Sequence, residues 1–206
     1  MTDYEPPSTG RTRALPFGPL IGGVVSVVAG IAVVVFLVSL LSGGDGDAAG
    51  PGAVTSTPGS EQPAGGVLSA KGFRDLLAAV KDETGTTNVF DATMYPTYAV
   101  LELPVDRETL RQQSFYWDGK KLKANDSFGK SSSPRVDLSS IDVDGMLRLV
   151  RMIRNVVDEP NSWYVIVNAP DENDPAVMYA YASNKFTEGG YISATADGKV
   201  VRRVTW

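Results

Sequence analysis

The sequence predicts an α+β fold, in which a single transmembrane helix and a disordered linker precede two tandem α-β-β-β-β units. Three observations predict it. Residues 20–41 form an uncharged apolar run, two amphipathic helical patterns recur at a constant spacing, and the β-prone runs after each helix end in Asp-Gly-Lys. The 206 residues carry a net charge of −5 and are 43% hydrophobic, values that exclude a wholly disordered or fibrous chain.

The apolar run predicts a membrane anchor within residues 18–42. At ~1.5 Å per residue, residues 20–41 span roughly 33 Å as a helix, which matches a hydrocarbon core of about 30 Å. A signal peptide is the alternative, but its apolar region usually has only about 7–15 residues before the cleavage site. Arg11 and Arg13 precede the run and "GGDGD" follows it, so we expect a cytoplasmic N-terminus and an extracytoplasmic C-terminal domain.

The segments on both sides of the anchor are too polar to fold alone. Residues 1–17 predict a disordered cytoplasmic tail. Residues 43–66, rich in Gly, Ala, Pro, Ser and Thr, predict a flexible linker with an end-to-end distance of ~25–30 Å. Because the chain has no Cys, the exported domain must be held together by burial of its core, without disulfides.

Two helical patterns open the two units, which we place at residues 67–130 and 131–206. Ser69 suits the N-cap of the first helix and Gly85 its C-terminal end. Either Asp142 or Asp144 caps the second helix, and Pro160 stops it. The pairs that keep a spacing of 73 residues are Gly72 and Gly145, Phe73 and Met146, Leu76 and Leu149, Leu77 and Val150, Val80 and Ile153, and Asn88 and Asn161. This common spacing predicts that one unit is used twice.

After each helix the apolar period changes to two or to continuous runs, which predicts strands. Beyond them the spacing becomes 79 residues, as expected if six residues are inserted in the "APDENDP" turn of the second unit. The matching pairs are Ser114 and Ser193, Asp118 and Asp197, Gly119 and Gly198, and Lys120 and Lys199. Asp-Gly between β-prone runs favours a tight turn with positive φ, so each triplet is predicted to close the last hairpin of its unit.

The final hairpin run, "GGYISATADGKVVRRV", resembles the end of PepSY-type domains, and two such units in tandem are similar in outline to the beta-lactamase-inhibitory-protein family. "VDLSSIDVDGMLRLVRMI" and "SWYVIVNA" also resemble segments of uncharacterised actinobacterial single-pass membrane proteins with an exported domain. The resemblance covers residues 71–206. It implies a small antiparallel sheet with helices on one face and a role in binding or restraining a partner, and it carries over no catalytic residue.

The sequence predicts no catalytic residue, no metal ligand and no cofactor. Without His or Cys, the remaining groups for acid–base or nucleophilic chemistry are carboxylates, Lys, Ser and Tyr. "SFGK" at residues 127–130 fits the S-x-x-K pattern of serine acyltransferases, but Gly129 and the following "SSSP" predict a loop rather than the required helix. The acidic residues at positions 142 and 144 lack the spacing of a calcium-binding loop and suit helix capping, and those at positions 171, 172 and 174 lie in the inserted turn. A structural calcium ion is the alternative for both groups.

Two groups of side chains are candidates for contact with a partner. A stripe on the polar side of the second helix is formed by Arg148, Arg151 and Arg154. In the run Phe115, Tyr116 and Trp117, alternation places Tyr116 on one sheet face and the other two on the opposite face. A solvated helix face and ordinary core packing are the alternatives, so we take the arginines, Tyr116 and Trp117 as the candidates.

The anchor carries a ridge of small residues four apart, which lets a second helix approach closely. It consists of Gly18, Gly22, Ser26 and Gly30. The partners that we expect are therefore the lipid bilayer, through one helix, and a membrane protein or a second copy of the chain. Residues 67–206 hold 17 Lys plus Arg against 19 Asp plus Glu, a balance that shows no bias toward nucleic acid.

The function predicted from these features is that of a non-enzymatic, membrane-anchored extracytoplasmic interaction module, an accessory or regulatory protein of the cell envelope. One alternative is a binding protein for a small envelope ligand, a lipid or a glycan, which needs an apolar pocket larger than roughly 300 Å³. Another is an envelope hydrolase, which needs a cleft that gathers carboxylates such as Asp91, Glu102 and Asp197.

Overall fold

The structure, a computed structural model, describes residues 66–206. The predicted tail, the anchor with its ridge of small residues, and all but the last residue of the linker lie outside the described residues. In the part that is described, no helix has the length and apolarity needed to cross a membrane.

The described residues form a mixed α+β fold, as predicted. In chain order the elements are α1 (Ala70–Thr84), β1 (Asn88–Val89), β2 (Asp91–Met94), β3 (Ala99–Pro104), β4 (Arg111–Trp117), β5 (Leu122–Lys130), β6 (Val136–Asp137), a short 3₁₀ helix (Leu138–Ser140), α2 (Val143–Arg154), β7 (Ser162–Asn168), β8 (Met178–Ser183), β9 (Gly189–Ala194) and β10 (Val200–Thr205). Each helix is therefore followed by a series of strands.

Three of the four helix ends follow the capping residues read from the sequence, whereas α2 ends at Arg154, ahead of Pro160, which was expected to stop it. The Ser69 hydroxyl accepts a hydrogen bond from the N–H of Gly72, and Gly85 adopts φ +71° where α1 ends. For α2, the Asp142 carboxylate is the N-cap and accepts from two backbone N–H groups. Asp144, the other candidate, lies in the first turn, where its charge interacts favourably with the helix dipole.

Eight strands form one antiparallel sheet in the order β10-β9-β8-β7-β2-β3-β4-β5. The strands β2 to β5, which follow α1, and the strands β7 to β10, which follow α2, thus share a single sheet. They meet at the central pair β2–β7, where Thr93 lies opposite Ile166. β1 and β6, which the sequence did not predict as a separate pair, form a two-stranded antiparallel sheet.

One face of the eight-stranded sheet and both helices enclose the core. Along β2, Ala92 and Met94 are fully buried, whereas Thr93 between them points to the other face. The largest fully buried side chains include Phe73, Leu76, Met94, Leu101, Leu103, Met146, Leu149, Ile153, Met178 and Ile192, which come from both helices and both halves of the sheet. The opposite face, which neither helix covers, is called the open face below.

Both Asp-Gly-Lys triplets form the predicted tight turns. Gly119, between β4 and β5, has φ +90°, and Gly198, between β9 and β10, has φ +80°. In the first turn the Asp118 carboxylate accepts the N–H groups of Lys120 and Lys121. The second turn packs onto α2, because a Cβ added to Gly198 would lie 2.7 Å from the Cα of Gly145. The Gly145–Gly198 contact holds α2 against the β9–β10 hairpin.

Candidate interaction surface

Seven tyrosines form a continuous row across the open face. In spatial order they are Tyr116, Tyr98, Tyr95, Tyr164, Tyr181, Tyr191 and Tyr179, and we call this set the tyrosine ladder. Successive ring centroids lie 5.5, 4.5, 5.2, 5.0, 5.3 and 6.3 Å apart in that order. All seven side chains are half-buried. The ladder crosses the central pair and so spans both halves of the sheet.

Strand register places these rings side by side. Tyr164 lies opposite Tyr181, and Tyr181 lies opposite Tyr191, so three adjacent strands present one ring each at the same level. On the other side of the central pair, Tyr95 and Tyr98 close the β2–β3 turn, where the N–H of Tyr95 donates to the carbonyl of Tyr98. Directly opposite residues in an antiparallel sheet have Cβ atoms about 4.5–5.5 Å apart, a spacing that lets aromatic rings stack.

Burial keeps six phenol groups of the ladder protonated at physiological pH, those of Tyr95, Tyr98, Tyr116, Tyr164, Tyr179 and Tyr181. Burial raises the pKa of Tyr95, Tyr179 and Tyr181 to about 12, and burial likewise raises the pKa of Tyr98 and Tyr164. A protonated phenol both donates and accepts hydrogen bonds. The ladder therefore offers apolar ring edges together with polar hydroxyl groups.

Two carboxylates lie on the open face beside the ladder. Asp91 of β2 is directly opposite Glu102 of β3, and we call these two residues the carboxylate pair. The hydroxyl of Thr93 donates to Asp91 over 3.2 Å, and the side-chain amide of Gln112 donates to Glu102 over 3.0 Å. Burial, reinforced by the charge of Glu102, raises the pKa of Asp91 to about 7. Burial also raises the pKa of Glu102.

The carboxylate pair has no compensating cation within the described residues. The two ion pairs found there join Lys71 to Asp75 and Lys123 to Asp118. Of the three carboxylates named as candidates for a hydrolytic cleft, the structure brings Asp91 and Glu102 together. Asp197 lies in the β9–β10 turn, so strands β7 and β8 stand between it and the pair.

The arginines of the predicted stripe mostly contact other residues of the same domain. The guanidinium of Arg154 lies 4.0 Å from the centroid of the Trp163 ring, and Arg148 donates to the carbonyl of Gly198 over 3.3 Å. Arg151 is exposed. Two of the three arginines thus have internal contacts that stabilise the packing of α2 on the second half of the sheet.

The aromatic run in β4 alternates as the sequence predicts. Tyr116 lies on the open face and belongs to the ladder, while Phe115 and Trp117 are buried against the helices with exposures of 6% and 4%. Sequence analysis singled out Tyr116 but missed the rest of the ladder. The signal that could have found it is the alternation of tyrosine with small or apolar residues in "MYAYAS" and "GGYISA".

A small cavity of about 260 Å³ lies near the C-terminal end of α1, on a different part of the domain. Its lining includes Glu83, Thr86, Val105, Arg107, Phe115 and Arg135. The guanidinium of Arg135 donates to the carbonyls of three residues in the β3–β4 loop, so its hydrogen bonds hold that loop in place. Pockets for drug-sized ligands usually measure about 300–1,000 Å³ and are mainly apolar, so this cavity is small and too polar for such a ligand.

The open face thus combines a row of tyrosines with two uncompensated carboxylates, a set of groups suited to binding. Its residues come from six of the eight strands and from the β2–β3 turn, and the positions of those in strands follow from register and alternation. Comparison of the chain with protein-family models, with curated proteins and with solved structures found no match.

Proposed function

We propose that this chain is a membrane-anchored extracytoplasmic interaction module, an accessory or regulatory protein of the cell envelope, and that its open face binds a protein partner. The observation that carries the proposal is the tyrosine ladder. Tyrosine is enriched at protein interfaces because it supplies a large, rigid contact area with few rotatable bonds and a hydroxyl group for hydrogen bonding. Seven contiguous half-buried tyrosines on one face exceed what that face needs for its own packing, since the core lies on the other side.

The shape of the surface favours a protein over a small ligand. The open face is a broad sheet surface, whereas the small cavity lies on a different part of the domain and is lined by charged as well as apolar groups. Neighbouring rings of the ladder also stack on each other, for example Tyr164 on Tyr181 with 12° between their planes. A glycan that stacks on free ring faces would find them occupied by neighbouring rings. A protein surface can instead contact the ring edges and hydroxyl groups.

The position of the ladder supports a partner close to the membrane. The N–H of Val67 donates to the carbonyl of Pro96 over 2.9 Å, in the turn between Tyr95 and Tyr98. The predicted linker therefore joins the described domain beside one part of the ladder. With an uncharged apolar run at residues 20–41 as its anchor, the chain would present this end of the open face toward proteins of the same membrane.

We infer in addition that the domain arose by duplication of one α-β-β-β-β unit of PepSY type. Both N-caps, Ser69 and Asp142, keep the spacing of 73 residues, and both turn glycines keep the spacing of 79. The strand order is symmetric about the β2–β7 pair. Two equal units joined edge to edge produce such an order, and the joint surface then becomes available to a single partner.

Site-specific photocrosslinking in cells tests the proposed surface. A photoreactive phenylalanine analogue replaces Tyr181 or Tyr116 on the open face of the full-length chain, and Lys71 or Arg151 on the helix side serves as the matched control. We expect discrete adducts from the open-face positions and far weaker ones from the helix side. Digestion of each adduct with a protease or with glycan hydrolases identifies its chemical class.

The outcomes of the crosslinking experiment distinguish a protein partner, a glycan ligand and a wrong contact surface. Protease-sensitive adducts that form only from the open face support the proposal. Adducts that are sensitive to glycan hydrolases instead favour the small-ligand alternative. Adducts that form from the helix side alone, or equally from both sides, contradict the assignment of the open face as the contact surface.

A further inference from the structure

We propose that the protein partner presents a basic side chain, lysine or arginine, to the carboxylate pair formed by Asp91 and Glu102. This inference rests on the proposed function and adds the chemistry of the partner at one defined place. It makes the open face a composite surface, in which the tyrosine ladder supplies contact area and the carboxylate pair selects for positive charge.

The first argument is the position of the two charges. Asp91 and Glu102 are directly opposite each other on neighbouring strands, and like charges in this arrangement destabilise a sheet. Both are half-buried, so water compensates their charge less well than it would at an exposed edge. A domain that keeps such a pair retains an unfavourable interaction that a cation from outside can relieve.

The second argument is what surrounds the pair. Thr93 on the same strand and Gln112 on β4 donate one hydrogen bond each, and Asn168 of β7 lies opposite Asp91. These groups are polar but neutral, so they donate hydrogen bonds to individual carboxylate oxygens without offsetting the negative charge of the pair. Glu102 and Tyr95 interact electrostatically with Asp91, and neither carries a positive charge.

The third argument is a contrast between the two halves of the sheet. Thr93 and Ile166 lie opposite each other at the centre of the sheet. Asp91 lies two residues before Thr93 and Tyr164 lies two residues before Ile166, so Asp91 and Tyr164 hold equivalent positions in the two halves. Glu102 faces Asp91 as Tyr181 faces Tyr164. The place that holds two stacked rings in one half therefore holds two carboxylates in the other, beside an otherwise aromatic surface.

Lysine and arginine fit this combination of groups. Their aliphatic stems pack on apolar or aromatic surface while the charged head reaches a polar site, and both cations interact favourably with aromatic rings. Asp91 begins β2 and Tyr95 directly follows it, so the two residues are four positions apart, about 13 Å in an extended chain. A partner that buries about 800 Å² on each side covers both.

The inference has a consequence for pH. Because burial and Glu102 hold the pKa of Asp91 near 7 in the free protein, a cation must displace a proton from the pair when it binds below that pH. Affinity for a basic ligand should therefore rise as the pH increases from 6 to 8.

Selection of peptides provides the test. A phage-displayed library of random dodecapeptides is panned against the immobilised full-length protein in detergent micelles, and the affinities of the selected peptides are measured. We expect the selected peptides to contain lysine or arginine. We also expect them to bind the double variant Asp91→Asn, Glu102→Gln at least tenfold more weakly than they bind the parent protein. The matched control, Asp82→Asn with Glu83→Gln, removes the same charge from the exposed side of α1 and should leave the affinity unchanged.

Further variants separate the two proposals. Replacing lysine by norleucine in a selected peptide should reproduce the loss, and circular dichroism of the double variant verifies its fold. Peptides that weaken on Tyr181→Ala or Tyr116→Ala but not on neutralisation of the carboxylate pair overturn the basic-partner inference and leave the open face as the docking surface. A panel of peptides indifferent to both kinds of variant overturns the inference and contradicts the proposed function as well.

Discussion

Thr93 of β2 lies directly opposite Ile166 of β7, the residue 73 positions further along the chain. The same interval relates the apolar residues and the N-caps of the two helices. This pair lies at the centre of the strand order, with four strands on each side. The four-strand halves are arranged around this pair, and the carboxylate pair of one half occupies positions that Tyr164 and Tyr181 hold in the other.

The close contact between α2 and the last hairpin predicts unequal effects of alanine at two similar turns. Gly119 and Gly198 both have positive φ, so Gly→Ala should cost about 1–2 kcal/mol at each through backbone strain. At Gly198 the new Cβ would also lie 2.7 Å from the Cα of Gly145, whereas at Gly119 its nearest neighbour is 3.7 Å away. We expect Gly198→Ala to lower the free energy of unfolding by about 1–3 kcal/mol more than Gly119→Ala.

Denaturant unfolding of the full-length protein in detergent checks this difference. Equal losses for the two alanine variants would mean that the helix moves away from the turn without resistance, which would contradict the close packing of Gly145 against Gly198.

Because of the carboxylate pair, we expect the stability of the folded protein to fall as the pH rises. The pKa of Asp91 is raised to about 7 in the folded state from an ordinary value of 3.8, so the folded protein holds a proton that the unfolded chain releases. Stability should therefore decrease between about pH 4 and pH 7. Asp91→Asn removes the ionisation, and we expect its melting temperature to exceed that of the parent protein at pH 8 and to differ little at pH 4.

Asp118 provides a control in which the pH dependence of stability has the opposite sign. Hydrogen bonds from the N–H groups of Lys121 and Lys120 and the charge of Lys123 lower its pKa to about 2. Asp118→Asn should therefore be less stable than the parent protein at neutral pH, and this difference should vanish as the pH falls toward 2. Melting curves of both variants across this range, recorded by near-ultraviolet circular dichroism, test the two signs together.

Arg154 and Arg151 should differ in their importance for stability although they lie on the same helix. Arg154 stacks on the ring of Trp163, an interaction worth up to about 2 kcal/mol when it is shielded from water. Arg151 is exposed, and substitutions at such positions usually change stability by less than about 0.5 kcal/mol. We expect Arg154→Met to destabilise the domain measurably and to change tryptophan fluorescence, with Arg151→Met close to neutral in both.

A spectrophotometric titration of phenolate absorbance tests the burial of the tyrosine ladder. Because burial raises the pKa of Tyr95, Tyr179 and Tyr181 to about 12, these rings resist ionisation in the folded protein. The unfolded chain ionises near pH 10, so stability should fall as the pH rises above 10. We expect the tyrosines of the folded protein to ionise at a pH well above that at which they ionise in denaturant. Coincident titration curves would show that the rings are fully hydrated and would remove the ladder as a packed feature.

The local elements could be derived from the sequence because short-range chemistry specifies them. Ser69 and Asp142 cap helices through hydrogen bonds to N–H groups two or three residues away, and Gly119 and Gly198 adopt positive φ at little cost because they lack a Cβ. The opposite orientations of Tyr116 and Trp117 follow from the period of a strand. These features need no information about distant parts of the chain.

The sequence by itself determined the α+β class, the helix caps, the turns and the alternation within each strand. Only the tertiary structure decided that both sets of strands share one sheet, since the pairing of β2 with β7 joins residues 71 to 77 positions apart. That pairing aligns Tyr95 with Tyr164 and extends the tyrosine ladder across the sheet, and the pairing of β2 with β3 sets Asp91 against Glu102. Strand register is a long-range property, because a shift of one residue sends every side chain to the other face and the buried core selects the register.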